Sequence, residues 1–138
     1  MSLFDAMDIA GSSLSAQTVR LNSIASNMAN ANTVASSPED TYRARTPLFK
    51  AVLETQLASD RSQMGVQIDR MEEIGGDPRA EFNPGHPLAD EEGYIYRPNI
   101  DVATEMVNMM QASRSFQNSI EAINTAKQLA MRTLTLGK

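Results

Sequence analysis

The sequence is that of a mainly α protein: two long terminal helices pair as an antiparallel coiled-coil hairpin around a small, β-rich or irregular middle. Three observations predict this. All six prolines and five of the seven glycines fall between Ser37 and Asn99, so both ends are free to be helical. Of the charged side chains, only three lie in residues 1–33 and seven in residues 100–138, whereas nineteen lie in residues 34–99. Apolar residues recur at alternating spacings of three and four at both ends. The chain therefore divides into an N-terminal helix over residues 1–33, a middle segment over 34–99 and a C-terminal helix over 100–138.

In the N-terminal section Leu3, Met7, Ala10, Leu14, Gln17, Leu21, Ile24 and Met28 form a coiled-coil seam with Gln17 as its polar interruption. A helix from about residue 3 to 33 is expected. In the C-terminal section Val102, Met106, Met109, Ser113, Phe116, Ile120, Ile123, Lys127, Ala130 and Leu134 follow the same rule. Asn99 or Asp101 can cap the start of that helix. Glu105 in its first turn and Arg132 and Lys138 near its end suit the helix dipole, and Gly137 is a natural stop.

The middle carries mixed signals. Thr46-Pro47 suits a helix start, with Phe49, Val52, Leu53 and Leu57 as the apolar face of a short helix, but an extended segment fits these residues nearly as well. Val66 and Ile68 alternate with polar neighbours and read as a strand ending before Gly75-Gly76, and Tyr94-Ile95-Tyr96 reads as another. Between them Pro84-Gly85 marks a tight turn.

Composition excludes several function classes. The net charge of −5 gives no basic stripe for a nucleic acid. The absence of cysteine and the single His86 leave no zinc site or thiol nucleophile. Glu72-Glu73 and Asp90-Glu91-Glu92 stand among polar, turn-forming residues with no apolar pocket to raise a carboxyl pKa, and no phosphate-binding glycine motif is present. No catalytic residue, cofactor, metal or small-molecule substrate is expected. Met106, Met109 and Met110 read as core packing rather than as a binding groove. No run of about 20 apolar residues predicts membrane insertion, and MSLFDAMDIA lacks the pattern of a secretory signal. The chain is expected to be cytosolic or exported without a cleaved signal.

The stretch RLNSIASNMANANTVASS, residues 20–37, has one charge, Arg20. Short neutral side chains on a long helix suit packing against other protein on several sides, where charge would be a liability. An isolated pair of such helices is marginal, because many seam positions are alanine or polar, and neighbouring copies would supply the missing burial.

The segment LSAQTVRLNSIASNMANANT resembles the N-terminal signature of bacterial flagellar rod and hook proteins, through Leu14, Ala16, Leu21, Ile24, Ala25, Asn27, Met28, Ala29, Asn30, Asn32 and Thr33. The C-terminal section is similar to the other terminal signature of that family through Glu105-Met106-Val107-Asn108, Ala112, Arg114 and Phe116, and PGHPLADEEGYIYRPNID resembles the proximal-rod members. One departure is the lack of a Pro-Gly-Tyr turn after Asn32-Thr33, which leaves the path of residues 34–46 open. The resemblance implies a structural subunit of the basal-body rod that crosses the periplasm and carries torque from motor to hook. It further implies export by the flagellar type III apparatus and assembly with other copies and homologous rod proteins into a helical tube. Leu14, Leu21, Ile24, Met28, Met106, Met109, Phe116, Ile120 and Ile123 would form the helix-packing seam. Asn27, Asn30, Asn32, Asn108 and Arg114 would make polar contacts between subunits. A soluble helical-hairpin adaptor or chaperone in the cytosol is the competing reading of the same pattern.

Overall fold

The computed structural model describes residues 3–55 and 62–136. Along the chain come α1 (Leu3–Asn30), β1 (Ala44–Thr55), β2 (Ser62–Ile74), β3 (Arg79–Phe82), β4 (Tyr94–Arg97) and α2 (Val102–Leu136). The helices hold 28 and 35 residues, so the mainly helical expectation agrees with the observed elements. β1 pairs with β2, and β3 with β4, in two separate two-stranded sheets. No helix among the described residues is long and apolar enough to cross a membrane.

Local chemistry sets the element ends. α1 stops three residues before the expected position 33. Its last turn tightens through N–H donation from Ala31 to Met28 C=O (3.3 Å) and from Thr33 to Asn30 C=O (3.1 Å), and the Thr33 hydroxyl also donates to Asn30 C=O (2.7 Å). Of the two candidate caps of α2, Asp101 fills the role. Its Oδ1 accepts the Ala103 N–H (3.2 Å) and its Oδ2 the Thr104 hydroxyl, and these bonds hold its pKa below the ordinary carboxylate value, Thr104 contributing most. Asn99 instead accepts from Arg79 Nε at 2.9 Å. The last described turn of α2 contains no basic side chain, Arg132 falling just before it. Gly137 and Lys138 lie outside the described residues.

The ambiguity at Thr46-Pro47 resolves as extended chain, because Pro47 falls within β1 rather than opening a helix. Leu57 lies outside the described residues. The strand read at Val66 and Ile68 extends to Ser62–Ile74, and that at Tyr94–Tyr96 to Arg97. Pro84-Gly85 forms the centre of a turn closed by His86 N–H donating to Asn83 C=O (3.1 Å).

The chain forms two compact units, each drawing on both helices and the middle. The first contains residues 1–21, 47–70 and 111–138. Ala10, Ala16, Ala112 and Ala126 are buried there. Ser12 Oγ donates to Ile9 C=O (2.8 Å) and accepts the Val66 N–H (3.1 Å), tying β2 to α1. A Cβ at Gly65 would lie 3.1 Å from Ser12 Oγ, a tight contact beside that bond. Ser119 Oγ donates to Ser13 Oγ (3.2 Å) between α2 and α1.

The second unit contains residues 22–46 and 71–110. Its core includes Ile24, Ala31, Ala44 and Ile95, the last fully buried. The path of residues 34–46, open from sequence, is fixed here. Ala35 makes an antiparallel bridge with Tyr96 (Ala35 N–H to Tyr96 C=O 2.9 Å, Tyr96 N–H to Ala35 C=O 3.0 Å). A serine turn follows, with Ser37 Oγ accepting the Asp40 N–H (3.2 Å), and the Thr41 hydroxyl donates to Ser37 C=O (2.8 Å).

Candidate functional site

Asn27 is the best-connected side chain of the second unit. It is 1% exposed, and its amide makes four hydrogen bonds. Oδ1 accepts from the Tyr42 hydroxyl and the Arg45 N–H, both at 2.9 Å. Nδ2 donates to Arg45 C=O (3.0 Å) and Glu105 Oε2 (3.3 Å). Ser23, one turn earlier on α1, donates its hydroxyl to the same Arg45 carbonyl. One helical residue thus binds the start of β1, the loop before it and the first turn of α2. This is full use of the amide's bonding capacity, the condition under which a buried polar group stabilises. Asn27, expected to meet other subunits, makes all four of these bonds within its own chain.

Glu105, also buried, accepts from Asn27 and, at a long 3.5 Å, from Asn108 Nδ2. Its place in the first turn of α2 puts the carboxylate near the positive end of the helix dipole. Sequence reasoning assigned it only that dipole role. The missed signal was its position, four residues before Met109 and seven before Ala112, on the stripe that turns out to be buried.

That stripe differs in part from the expected seam. Along α2 the side with least exposure runs through Glu105, Met109, Ala112, Phe116, Ser119, Ile123, Ala126 and Ala130. It shares Met109, Phe116, Ile123 and Ala130 with the expected seam but replaces Met106, Ser113, Ile120 and Lys127 by their smaller or acidic neighbours. Ala112 is 0% exposed, whereas Met106 is 52% and Leu134 73% exposed. Small side chains permit close helix approach, and an apolarity ranking passes over them in favour of methionine and isoleucine. On α1 Leu14, Leu21 and Met28 are half-buried and Ile24 is buried; Gln17, the polar interruption, buries Oε1 with no donor among the described residues.

Asn30, half-buried, donates Nδ2 to Ser26 C=O (2.8 Å), while Asn32 and Arg114 are exposed and Asn108 is half-buried. The outward face of α1 carries Asp8, Gly11, Ser15, Thr18, Asn22, Ala25 and Ala29 at alternating spacings of three and four, all exposed and all small. Large apolar groups stand exposed on α2: Met106, Val107, Met110, Ile120, Leu129, Met131 and Leu134.

In the β3–β4 sheet, Asp90 organises the approach to β4. Its Oδ1 accepts N–H groups from Tyr94 (2.7 Å) and Glu92 (3.0 Å), and its Oδ2 accepts the Tyr96 hydroxyl (3.0 Å). These bonds, the Tyr94 amide first, hold the Asp90 pKa below the ordinary value, and the same carboxylate raises that of Tyr96. Gly93 takes φ +84°, and a Cβ there would meet Phe82 Cε2 at 3.0 Å. His86 bonds locally, Nδ1 accepting the Leu88 N–H at 3.1 Å. These groups shape a turn.

Comparison with known proteins explains why both terminal sections matter. Residues 7–34 match the family described as "Flagella basal body rod protein", and residues 91–136 match "Flagellar basal body rod FlgEFG protein C-terminal". The flagellar basal-body rod protein FlgC of Yersinia enterocolitica is 46% identical over 140 residues, with 100% of both chains covered. The chain belongs to the FlgC family of flagellar basal-body rod proteins. FlgC of Salmonella typhimurium is 44% identical over 138 residues and that of Bacillus subtilis 28% over 150, each with 100% of both chains covered. As a member of the FlgC family the chain is a structural subunit of the basal-body rod, and its relatives are named as rod proteins and not as enzymes. The two segments that match rod-protein families supply Asn27 and Glu105, which bond to each other between α1 and α2.

Proposed function

We propose that this subunit belongs to the proximal rod and assembles through its terminal helices with other copies and homologous rod proteins. The product is a helical tube that crosses the periplasm and passes torque from motor to hook. Within the subunit α1 and α2 run antiparallel as a coiled-coil hairpin. Support comes from side-chain bonds between the two helices within each unit, Ser13–Ser119 in the first and Asn27–Glu105 in the second. The subunit reaches its place through the flagellar type III apparatus without a cleaved signal, and its function is mechanical. The cytosolic adaptor reading loses its ground with membership of the rod family.

The observation that carries this assembly is the pair of outward helix faces. α1 offers a continuous row of small side chains and α2 a set of large apolar ones. Exposed apolar patches of this kind mark interaction surfaces, and large side chains fit best where the facing helix is small. Interlocked helices of this sort resist torsion without covalent chemistry.

Electron micrographs of basal bodies labelled on this chain should carry the label on the rod between the two membranes. A label confined to the cytosol would overturn the reading. For the hairpin itself, a Ser13→Cys/Ser119→Cys chain, which has no other cysteine, should oxidise to a single intramolecular crosslink. Absence of that crosslink would exclude the antiparallel pairing.

A further inference from the structure

The two edges of the β3–β4 sheet differ. Arg79 lies opposite Arg97, Ala80 opposite Tyr96, Glu81 opposite Ile95 and Phe82 opposite Tyr94, in antiparallel register. Antiparallel ladders alternate bonded and non-bonded pairs, and β4 fixes the phase of this one. Tyr96 exchanges both backbone bonds with Ala35, and Tyr94 gives its N–H to Asp90 Oδ1 (2.7 Å) and accepts the Asp90 N–H (2.9 Å). Ala80/Tyr96 and Phe82/Tyr94 are therefore non-bonded pairs. The outer edge of β4 is filled, whereas on β3 the N–H and C=O of Ala80 and Phe82 point away from the sheet. No further strand pairs with β3 among the described residues, and its side chains are all exposed.

The charges on β3 make this edge complementary to itself. An antiparallel copy must set outward groups against outward groups, which within the strand allows Ala80 on Phe82, Phe82 on Phe82 or Ala80 on Ala80. Ala80 on Phe82 brings Glu81 against Glu81, and Phe82 on Phe82 brings Glu81 only to the neutral Asn83. Ala80 on Ala80 places each Glu81 directly opposite Arg79 of the other copy, and symmetry makes the contact twice. Both charges have capacity for it. Arg79 faces the like charge of Arg97 in its own sheet and donates Nε to the neutral Asn99 Oδ1 (2.9 Å). Glu81 engages Arg97 Nε through Oε2 (2.7 Å) in an exposed pair, which leaves Oε1. On the opposite face Phe82, 64% exposed and edge-on to Tyr94 with centroids 5.3 Å apart, would extend over Pro78 of the other copy.

We propose that the β3 edge pairs with the β3 edge of a second copy about a two-fold axis at Ala80, joining the two β3–β4 sheets into one. Pairing stops at two copies, because the outer edge of each β4 is occupied by Ala35 and Asp90. An isologous contact closes on itself and offers no repeat for a tube, so the pair belongs to the free chain and does not depend on the rod assembly. Its effect is to shield an open strand edge from indefinite strand addition. The interface is small, and a dissociation constant on the order of 0.1–1 mM is expected.

The test is a dilution series of the 15N-labelled full chain, read at the amides of Ala80 and Phe82 and by sedimentation equilibrium. Both amides should shift with concentration as the dimer forms. Glu81→Arg alone and Arg79→Glu alone set like charges opposite each other, and each should weaken self-association at least about tenfold. An equal mixture of these two variants restores opposite charges at both contacts and should associate about as tightly as the parent. Ala80→Pro, which removes only an outward N–H, should weaken pairing about tenfold, whereas Ala80→Val should keep it. Three results would overturn the proposal: a parent chain whose Ala80 and Phe82 amides stay fixed up to millimolar concentration, a mixture that associates no better than either variant alone, or concentration-dependent shifts confined to Met106, Val107 and Met110. The last would assign self-association to α2.

Discussion

The inward and outward sides of α2 differ more than those of α1. Inward, α2 presents Ala112, Ser119 and Ala126 beside half-buried Met109, Phe116 and Ile123, and α1 presents Ala16, Ser23 and the amide of Asn27 beside Ile24. Outward, α2 presents methionine, leucine and isoleucine, while α1 still presents alanine, glycine, serine and threonine. In an isolated globular protein the large apolar groups of α2 would be the core. Their exposure, together with a polar node at the centre of the second unit, describes a chain whose internal packing fixes the approach of two helices and whose apolar surface is left for neighbours. On the proposed assembly, the fold supplies geometry and neighbouring subunits cover the exposed apolar groups of α2.

The inward side should be the most sensitive to change. Asn27→Asp keeps the two acceptor bonds but removes both donors and places a second carboxylate beside Glu105, 3.3 Å away in the parent. A loss of about 3 kcal/mol or more is expected in denaturant unfolding of the isolated chain. Ala112→Leu, at a fully buried position, should cost about 1–3 kcal/mol through overpacking. By contrast, Met106→Ser and Ile120→Ser on the outer side should change the stability of the isolated chain by no more than about 0.5 kcal/mol. Equal costs on the two sides, measured by the same unfolding curves, would erase the distinction.

The smallest effect concerns pH. The Asp90 pKa is lower in the folded chain than its ordinary 3.8, so its contribution to stability is present above that value and disappears as pH falls through the folded one. Asp90→Ala should flatten the acid limb of the stability curve and leave the neutral-pH behaviour of the helices unchanged. A variant with the parent's acid limb would remove Asp90 from this role.

Much of the architecture was legible because it rests on local rules. Proline and glycine placement separates the helices from the middle, a cap at Asn99 or Asp101 marks the start of α2, and alternation at Val66–Ile68 and Tyr94–Tyr96 marks strands. On α1 the residues spaced as a seam, Leu14, Leu21, Ile24 and Met28, are half-buried or buried. What could not be read was the rotation of α2, since spacing alone does not distinguish apolar groups buried within one subunit from those left outward. Ala112 and Ser113, like Ser119 and Ile120, satisfy the same periodic rule one residue apart. Asn27 was singled out correctly as a signature residue, but its partners, Tyr42, Arg45 and Glu105, are brought to it by a chain path that no local pattern encodes.

The outward faces provide the most direct trial of this account. Ala25→Trp puts a bulky group on the small outward row of α1, where the isolated chain has space for it. The variant should melt with the parent chain, yet cells carrying it as their sole copy should fail to complete rods and to swim. Normal rods and normal swimming from that variant would contradict the claim that this face packs against a neighbouring subunit.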